Sequence, residues 1–83
     1  MGEFRMPSLG SEMESGKLLV WRVQPNDHVK RGDIMAEIET DKSAIEIETF
    51  EDGIVDRLLV EPGATVPVGT VLATIRPERA PSD

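Results

Sequence analysis

The sequence lies on itself at an offset of 37 residues. Residues 16–38 laid on 53–75 bring Gly16 onto Gly53, Val23 onto Val60, Pro25 onto Pro62 and Val29 onto Val66. Gly32 then meets Gly69, Ala36 meets Ala73 and Ile38 meets Ile75, with Ile34 over Val71 and Met35 over Leu72 as conservative pairs. Two copies are too few for a solenoid, whose repeats bury a continuous core only by stacking several units. At 83 residues the chain has room for one domain. Two similar halves inside one small domain point to a pseudo-two-fold sandwich or flattened barrel, each half supplying the core the other lacks.

The halves read as strands. Runs of Val, Ile and Leu are cut every eight to twelve residues by Gly, Pro, Asn and Asp. No window sustains the i, i+3, i+4, i+7 stripe of an amphipathic helix. Along Ala44-Ile45-Glu46-Ile47-Glu48-Thr49, Ile45 and Ile47 face one way and Glu46 and Glu48 the other. The stretch from Ile34 to Thr40 repeats the pattern, with Ile34, Ala36 and Ile38 inward. Phe4 and Met6 alternate with polar neighbours and predict a first strand. The repeated glycines sit where the chain turns or re-enters a strand, positions that call for positive φ or close backbone approach. The fold class is all-β.

With no cysteine, neither a disulfide nor a thiolate metal site is available. Sixteen acidic against nine basic residues give a net charge of −7, which argues against a nucleic-acid partner. The same charge favours solubility and a basic docking partner, and it keeps copies apart, so a monomer is expected. The longest apolar run, residues 18–21, is far too short to span a bilayer. The N-terminus carries Glu3 and Arg5 and no apolar signal core, which makes the cytosol or an equivalent internal compartment the expected location. Residues 77–83, rich in Pro, Ala and charge, read as the start of a flexible linker after a domain over 1–76.

Between the halves lies Glu39-Thr40-Asp41-Lys42-Ser43. Polar residues bracketed by two patterned strands, with Asp in the turn, predict a hairpin with Lys42 at or beside its tip. A modifying enzyme could reach that ammonium without unfolding anything. From spacing alone, a solubilising lysine in a turn is the simpler reading. Glu37, Glu39, Glu46 and Glu48 alternate on the solvent face of the paired strands, which explains them without a metal or an acid–base pair. His28 belongs to an Asn26-Asp27-His28 turn with no nucleophile beside it, so no catalytic residue is assigned. Trp21 reads as a residue at the core edge.

Met6-Pro7-Ser8-Leu9-Gly10, Met13, Gly16, Trp21, Gly32-Asp33, Glu37-Ile38-Glu39-Thr40-Asp41-Lys42 and Gly53 resemble the lipoyl domains of 2-oxo acid dehydrogenase E2 acyltransferases. Val66-Pro67-Val68-Gly69-Thr70 and Ala73-Thr74-Ile75 continue the match, which covers residues 4–76. The resemblance implies a flattened eight-stranded β-barrel of two four-stranded sheets, with a lipoyl-bearing lysine on the hairpin joining strands four and five. Lys42 matches that lysine and Asp41 its usual neighbour, while Ser43 stands where Ala is commoner. Gly10, Ser11 and Glu12, with Met13 and Glu14, match the loop that lies near the lipoyl-lysine and helps partners recognise the domain; Glu39, Asp41 and Ser43 beside the lysine are expected to be read with it. The implied cofactor is lipoate, amide-linked to Lys42. The implied partners are a lipoate ligase or lipoyl transferase, the E1 decarboxylase, the E2 catalytic core and the E3 dihydrolipoamide dehydrogenase. That would place the domain in the cytoplasm, or in the mitochondrial matrix of a eukaryote.

Three relatives of this fold fit less well. Biotinyl domains flank their lysine with methionines, where this chain has Asp41 and Ser43. Barrel domains of efflux adaptors lack the tip lysine and are interrupted there by a helical hairpin. The glycine-cleavage H protein is longer and carries extra helices. Ile45-Glu46-Ile47-Glu48 after the lysine looks more like pyruvate-type than 2-oxoglutarate-type domains, with an acetoin or branched-chain complex still open.

Overall fold

The computed structural model describes residues 2–10 and 12–77. Within them the short aliphatic runs form eight strands: β1 (Gly2–Arg5), β2 (Ser15–Trp21), β3 (His28–Val29), β4 (Ile34–Glu39), β5 (Ala44–Glu48), β6 (Gly53–Leu58), β7 (Thr65–Pro67) and β8 (Val71–Arg76). They build two antiparallel four-stranded sheets, in the orders β1-β8-β6-β3 and β5-β4-β2-β7. Exchanging β1 with β5, β2 with β6, β3 with β7 and β4 with β8 turns one order into the other. This is the flattened barrel-sandwich that the repeat and the resemblance led one to expect.

The exchange extends to single hydrogen bonds. Asn26 N–H donates to the Val55 carbonyl (2.7 Å) and Val55 N–H to that of Asp27 (2.9 Å). At the equivalent place Gly63 N–H donates to the Leu18 carbonyl (2.7 Å) and Leu18 N–H to that of Ala64 (2.9 Å). Each half thereby stitches its turn to a strand of the other half, so neither half is closed without the other. Those turns demand left-handed backbone at matching positions, with φ of 77° at Asn26 and 97° at Gly63. Asn tolerates that region and Gly has no Cβ to oppose it.

The core pairs up in the same way. Leu18 and Val55, Met35 and Leu72, Ala36 and Ala73, and Ile38 and Ile75 are all buried between the sheets. Phe4 on β1 faces Ala73, and Ile47 on β5 faces Ala36, so they too occupy equivalent places. Met6 and Thr49 complete the set: each follows an edge strand and exchanges backbone hydrogen bonds with the turn before the neighbouring strand. Thr49 is thus a buried polar side chain where the other half has a methionine. Its hydroxyl is satisfied locally, accepting from Glu51 N–H and donating to the Glu51 carbonyl, both at 3.1 Å.

Strict alternation does not hold in β4, nor at the equivalent place in β8, where the consecutive Leu72 and Ala73 are both buried. It puts Ile34, Ala36 and Ile38 inward and Met35 outward, yet Met35 is fully buried and Ile34 only half so. The ladder between β4 and β5 slips between Ile34 and Ala36. A bulge adds a residue to one strand and turns it locally, so consecutive side chains can both point inward. His28 is also corrected: it opens β3 as an exposed strand residue, and the turn before it is closed by Asp27 N–H on the Gln24 carbonyl (3.0 Å). Trp21 is half-buried at the core edge, its indole N–H donating to the Val60 carbonyl (2.9 Å). Beyond Pro77, the residues read as a linker lie outside the described residues.

Candidate functional site

β4 and β5 pair through Ala36↔Ile47, Glu37↔Glu46, Ile38↔Ile45 and Glu39↔Ala44. The inward members of these pairs fix the register, because a slip of one residue would turn Ile38 and Ile47 out to solvent. On the outer face Arg22 forms ion pairs with Glu37 and, at 3.8 Å, with Glu46. Glu37 is therefore half-buried under a guanidinium rather than a free surface carboxylate, while Glu39, Glu46 and Glu48 are exposed.

The strands are joined by Thr40, Asp41, Lys42 and Ser43. Two-residue hairpin loops usually take positive φ at a central residue, to match strand twist. Among the described residues Asn26 is the sole non-glycine with positive φ, so this loop is built otherwise. Thr40 closes it with both its backbone and its side chain. Its N–H donates to the Ser43 carbonyl (2.9 Å), and its hydroxyl donates to that same carbonyl (3.0 Å). The hydroxyl oxygen also accepts from the N–H groups of Lys42 and Ser43, each at 3.2 Å. The sequence pattern assigns Thr40 no role of its own. The available signal was a hydroxyl residue opening a polar turn, the pattern in which Ser and Thr bond to backbone further along.

Lys42 stands exposed at this tip, and its ammonium makes no ion pair or hydrogen bond among the described residues. Beside it lies the connection from β1 to β2. That loop is tied down by Met13 N–H on the Gly10 carbonyl (3.1 Å) and by Leu9 N–H on the Met13 sulfur (3.2 Å). Leu9 and Met13 also pack against the core. Gly16 lets them do so: a Cβ there would come within 2.9 Å of the Met13 methyl, the Met6 sulfur and Ile38.

Loop and hairpin together enclose an open depression of about 790 Å³. Gly10 and Glu12 line it from the loop side, and Glu39, Asp41 and Lys42 from the hairpin. Ser43 is exposed at the tip but does not line it, and Ser11 lies outside the described residues. Glu12, Glu14, Glu39 and Asp41 outnumber Lys17 and Lys42 in the lining, so the surroundings of the tip are acidic. No group of three or more His, Cys, Asp or Glu is arranged to hold a metal ion among the described residues.

A sequence model of the Biotin_lipoyl family, described as biotin-requiring enzyme, matches residues 2–75. The chain belongs to the biotinyl/lipoyl attachment family.

Within that family the chain is similar to acyltransferase components of 2-oxo acid dehydrogenase complexes. Over 74 residues it is 46% identical to the dihydrolipoyllysine-residue acetyltransferase component of the pyruvate dehydrogenase complex of Zymomonas mobilis, covering 88% of this chain and 17% of that protein. Over 75 residues it is 36% identical to the succinyltransferase component of the 2-oxoglutarate dehydrogenase complex of Bacillus subtilis, covering 90% and 18%. The chain therefore spans less than a fifth of the length of these curated relatives. Among solved structures, the lipoyl domain of the 2-oxoglutarate dehydrogenase complex of Azotobacter vinelandii superposes with a TM-score of 0.72 at 27% identity, covering 89% of this chain and 94% of that one. Lipoyl domains carry lipoate covalently on a lysine. The hairpin fits that group: it offers a primary amine, exposed and without an ion pair among the described residues, on a turn closed by Thr40.

Proposed function

We propose that this domain is a non-catalytic carrier whose Lys42 is amide-linked to lipoate, within a dihydrolipoamide acyltransferase of pyruvate type. The observation that carries the reading is the exposed, unengaged amine of Lys42 at the apex of a hairpin whose register is fixed by buried isoleucines. A ligase would join Nζ, first deprotonated from ammonium to amine, to the carbonyl carbon of the lipoyl adenylate formed from ATP and lipoate. The bond from that carbon to the AMP oxygen breaks, AMP leaves, and Nζ sheds a second proton as the amide forms. The formal charge then falls by one, from −7 to −8. No interaction has to be broken for this, since the ammonium holds no partner among the described residues.

When bound, lipoate supplies a disulfide that can take up an acyl group with two electrons, pass the acyl group on and be reoxidised. The chain's own residues present and restrict. The hairpin sets where the arm is rooted, and Gly10, Glu12, Glu39 and Asp41 form the fixed surface around that root. An E1 decarboxylase, an E2 catalytic core and an E3 dihydrolipoamide dehydrogenase would each meet the arm there, after a lipoate ligase or lipoyl transferase has attached it. The pyruvate-type assignment is supported by 46% identity to an acetyltransferase component, against 36% to a succinyltransferase component. The compartment of such a complex, cytosol or mitochondrial matrix, comes with the proposal, as does a folded unit over 1–76 with 77–83 starting a linker.

Incubation with lipoate ligase, ATP and lipoate, followed by peptide mass mapping, tests the reading. The expected result is a single lipoyl adduct on Lys42, and none from a biotin ligase with biotin. Modification of Lys17 or Lys30 with Lys42 untouched, or biotin in place of lipoate, would overturn it.

A further inference from the structure

The tip of the hairpin is held by one side chain. Lys42 N–H and Ser43 N–H both end on the Thr40 hydroxyl oxygen, and the hydroxyl proton ends on the Ser43 carbonyl. A hydroxyl offers one donor and two acceptor sites, so every site of this one is spent inside the turn. Because φ is not positive at Asp41 or Lys42, the loop lacks the backbone twist that closes a two-residue hairpin unaided. One backbone bond, Thr40 N–H to the Ser43 carbonyl, spans the loop, and the side chain completes the closure.

From this geometry we infer that Thr40 is the positioning residue for modification at Lys42: its hydroxyl holds the Lys42 backbone in the shape a ligase recognises. The inference rests on the reading of Lys42 as the attachment site. Without the hydroxyl, the Lys42 and Ser43 amides turn to water and the tip samples other shapes. The strands below are unaffected, since their register is fixed by Ile38, Ile45 and Ile47. A ligase meeting a tip that is competent only part of the time sees a weaker substrate, its apparent affinity reduced by the competent fraction. Once the competent tip is bound, the reaction is unchanged, so KM should rise while kcat holds.

Thr40→Val keeps the shape and removes the hydroxyl, Thr40→Ser keeps the hydroxyl, and Thr40→Ala checks that the added methyl of valine is not the cause. With lipoate ligase, KM for the Val and Ala variants should rise about tenfold at unchanged kcat, and the Ser variant should match the parent. Amide exchange should quicken at Lys42 and Ser43 in the Val and Ala variants and stay at parent rates along β4 and β5. Parent-like KM in Thr40→Val, or an equal loss in Thr40→Ser, would overturn the inference. Failure of the ligase to modify the parent at Lys42 would overturn the functional reading instead, while the exchange rates would still report on Thr40.

Discussion

The two connections that follow the edge strands are related by the pseudo-two-fold, yet they differ in length and in what they pack against. From Thr49 to Gly53 the chain needs only residues 50–52, and the turn is sealed by the Thr49 hydroxyl on Glu51. From Met6 to Gly16 nine residues intervene, and of the described ones Leu9 and Met13 pack back on the core. The short connection adds nothing beyond a turn, and its Phe50 is left 77% exposed. The long one rises beside Lys42 and walls the depression at the hairpin tip. Elsewhere the halves agree down to reciprocal hydrogen bonds between turn and strand. The repeat accounts for the scaffold, and the departure from the repeat lies next to the residue that carries the proposed chemistry.

The largest expected effect tests the symmetric part. Ile38→Ala and Ile75→Ala empty equivalent buried sites, and each should cost about 2–5 kcal/mol, with the two values within about 1 kcal/mol of each other. Denaturant titration of both variants measures this; a large cost at one site and none at the other would break the equivalence of the halves. The next effect concerns the pair that the symmetry matches in place but not in chemistry. Met6→Ala should again cost about 2–5 kcal/mol. Thr49→Val, which keeps volume and loses two hydrogen bonds to Glu51, should cost about 1 kcal/mol. Equal costs would mean that Thr49 contributes packing rather than the sealing of its turn.

Smaller still is the expected effect on the asymmetric part. Glu12→Ala, in the exposed loop, should change stability by less than about 0.5 kcal/mol and leave lipoylation of Lys42 at the parent rate. Reductive acylation by the E1 decarboxylase should slow by about threefold, as for loss of a charge at a docking rim. Comparing the two rates on the same variant separates a recognition loop from a mere connection. Equal E1 rates for variant and parent would leave the loop a structural part only.

Much of this was legible in the residues. The 37-residue offset specified two interlocked halves, and alternation at Ile45, Ile47, Glu46 and Glu48 gave the facing of β5. Lys42 was placed at the hairpin tip because polar residues between two patterned strands leave few other geometries. Three features escaped for physical reasons. Burial of Met35 depends on a bulge, which shifts facing without any change in hydrophobic pattern. The reciprocal bonds of Asn26 and Gly63 join segments far apart in sequence, so no local window contains them. The role of Thr40 is set by hydroxyl geometry over a few ångströms, whereas the pattern registers only a polar residue in a turn.

On the proposed function Lys42 serves attachment and not folding, and Lys42→Ala tests this most directly, with lipoate ligase modification and thermal unfolding measured on one sample. The expected result is complete loss of the lipoyl adduct, with stability within about 0.5 kcal/mol of the parent. An adduct that persists on another lysine at the parent rate, or a variant less stable than Ile38→Ala, would contradict it.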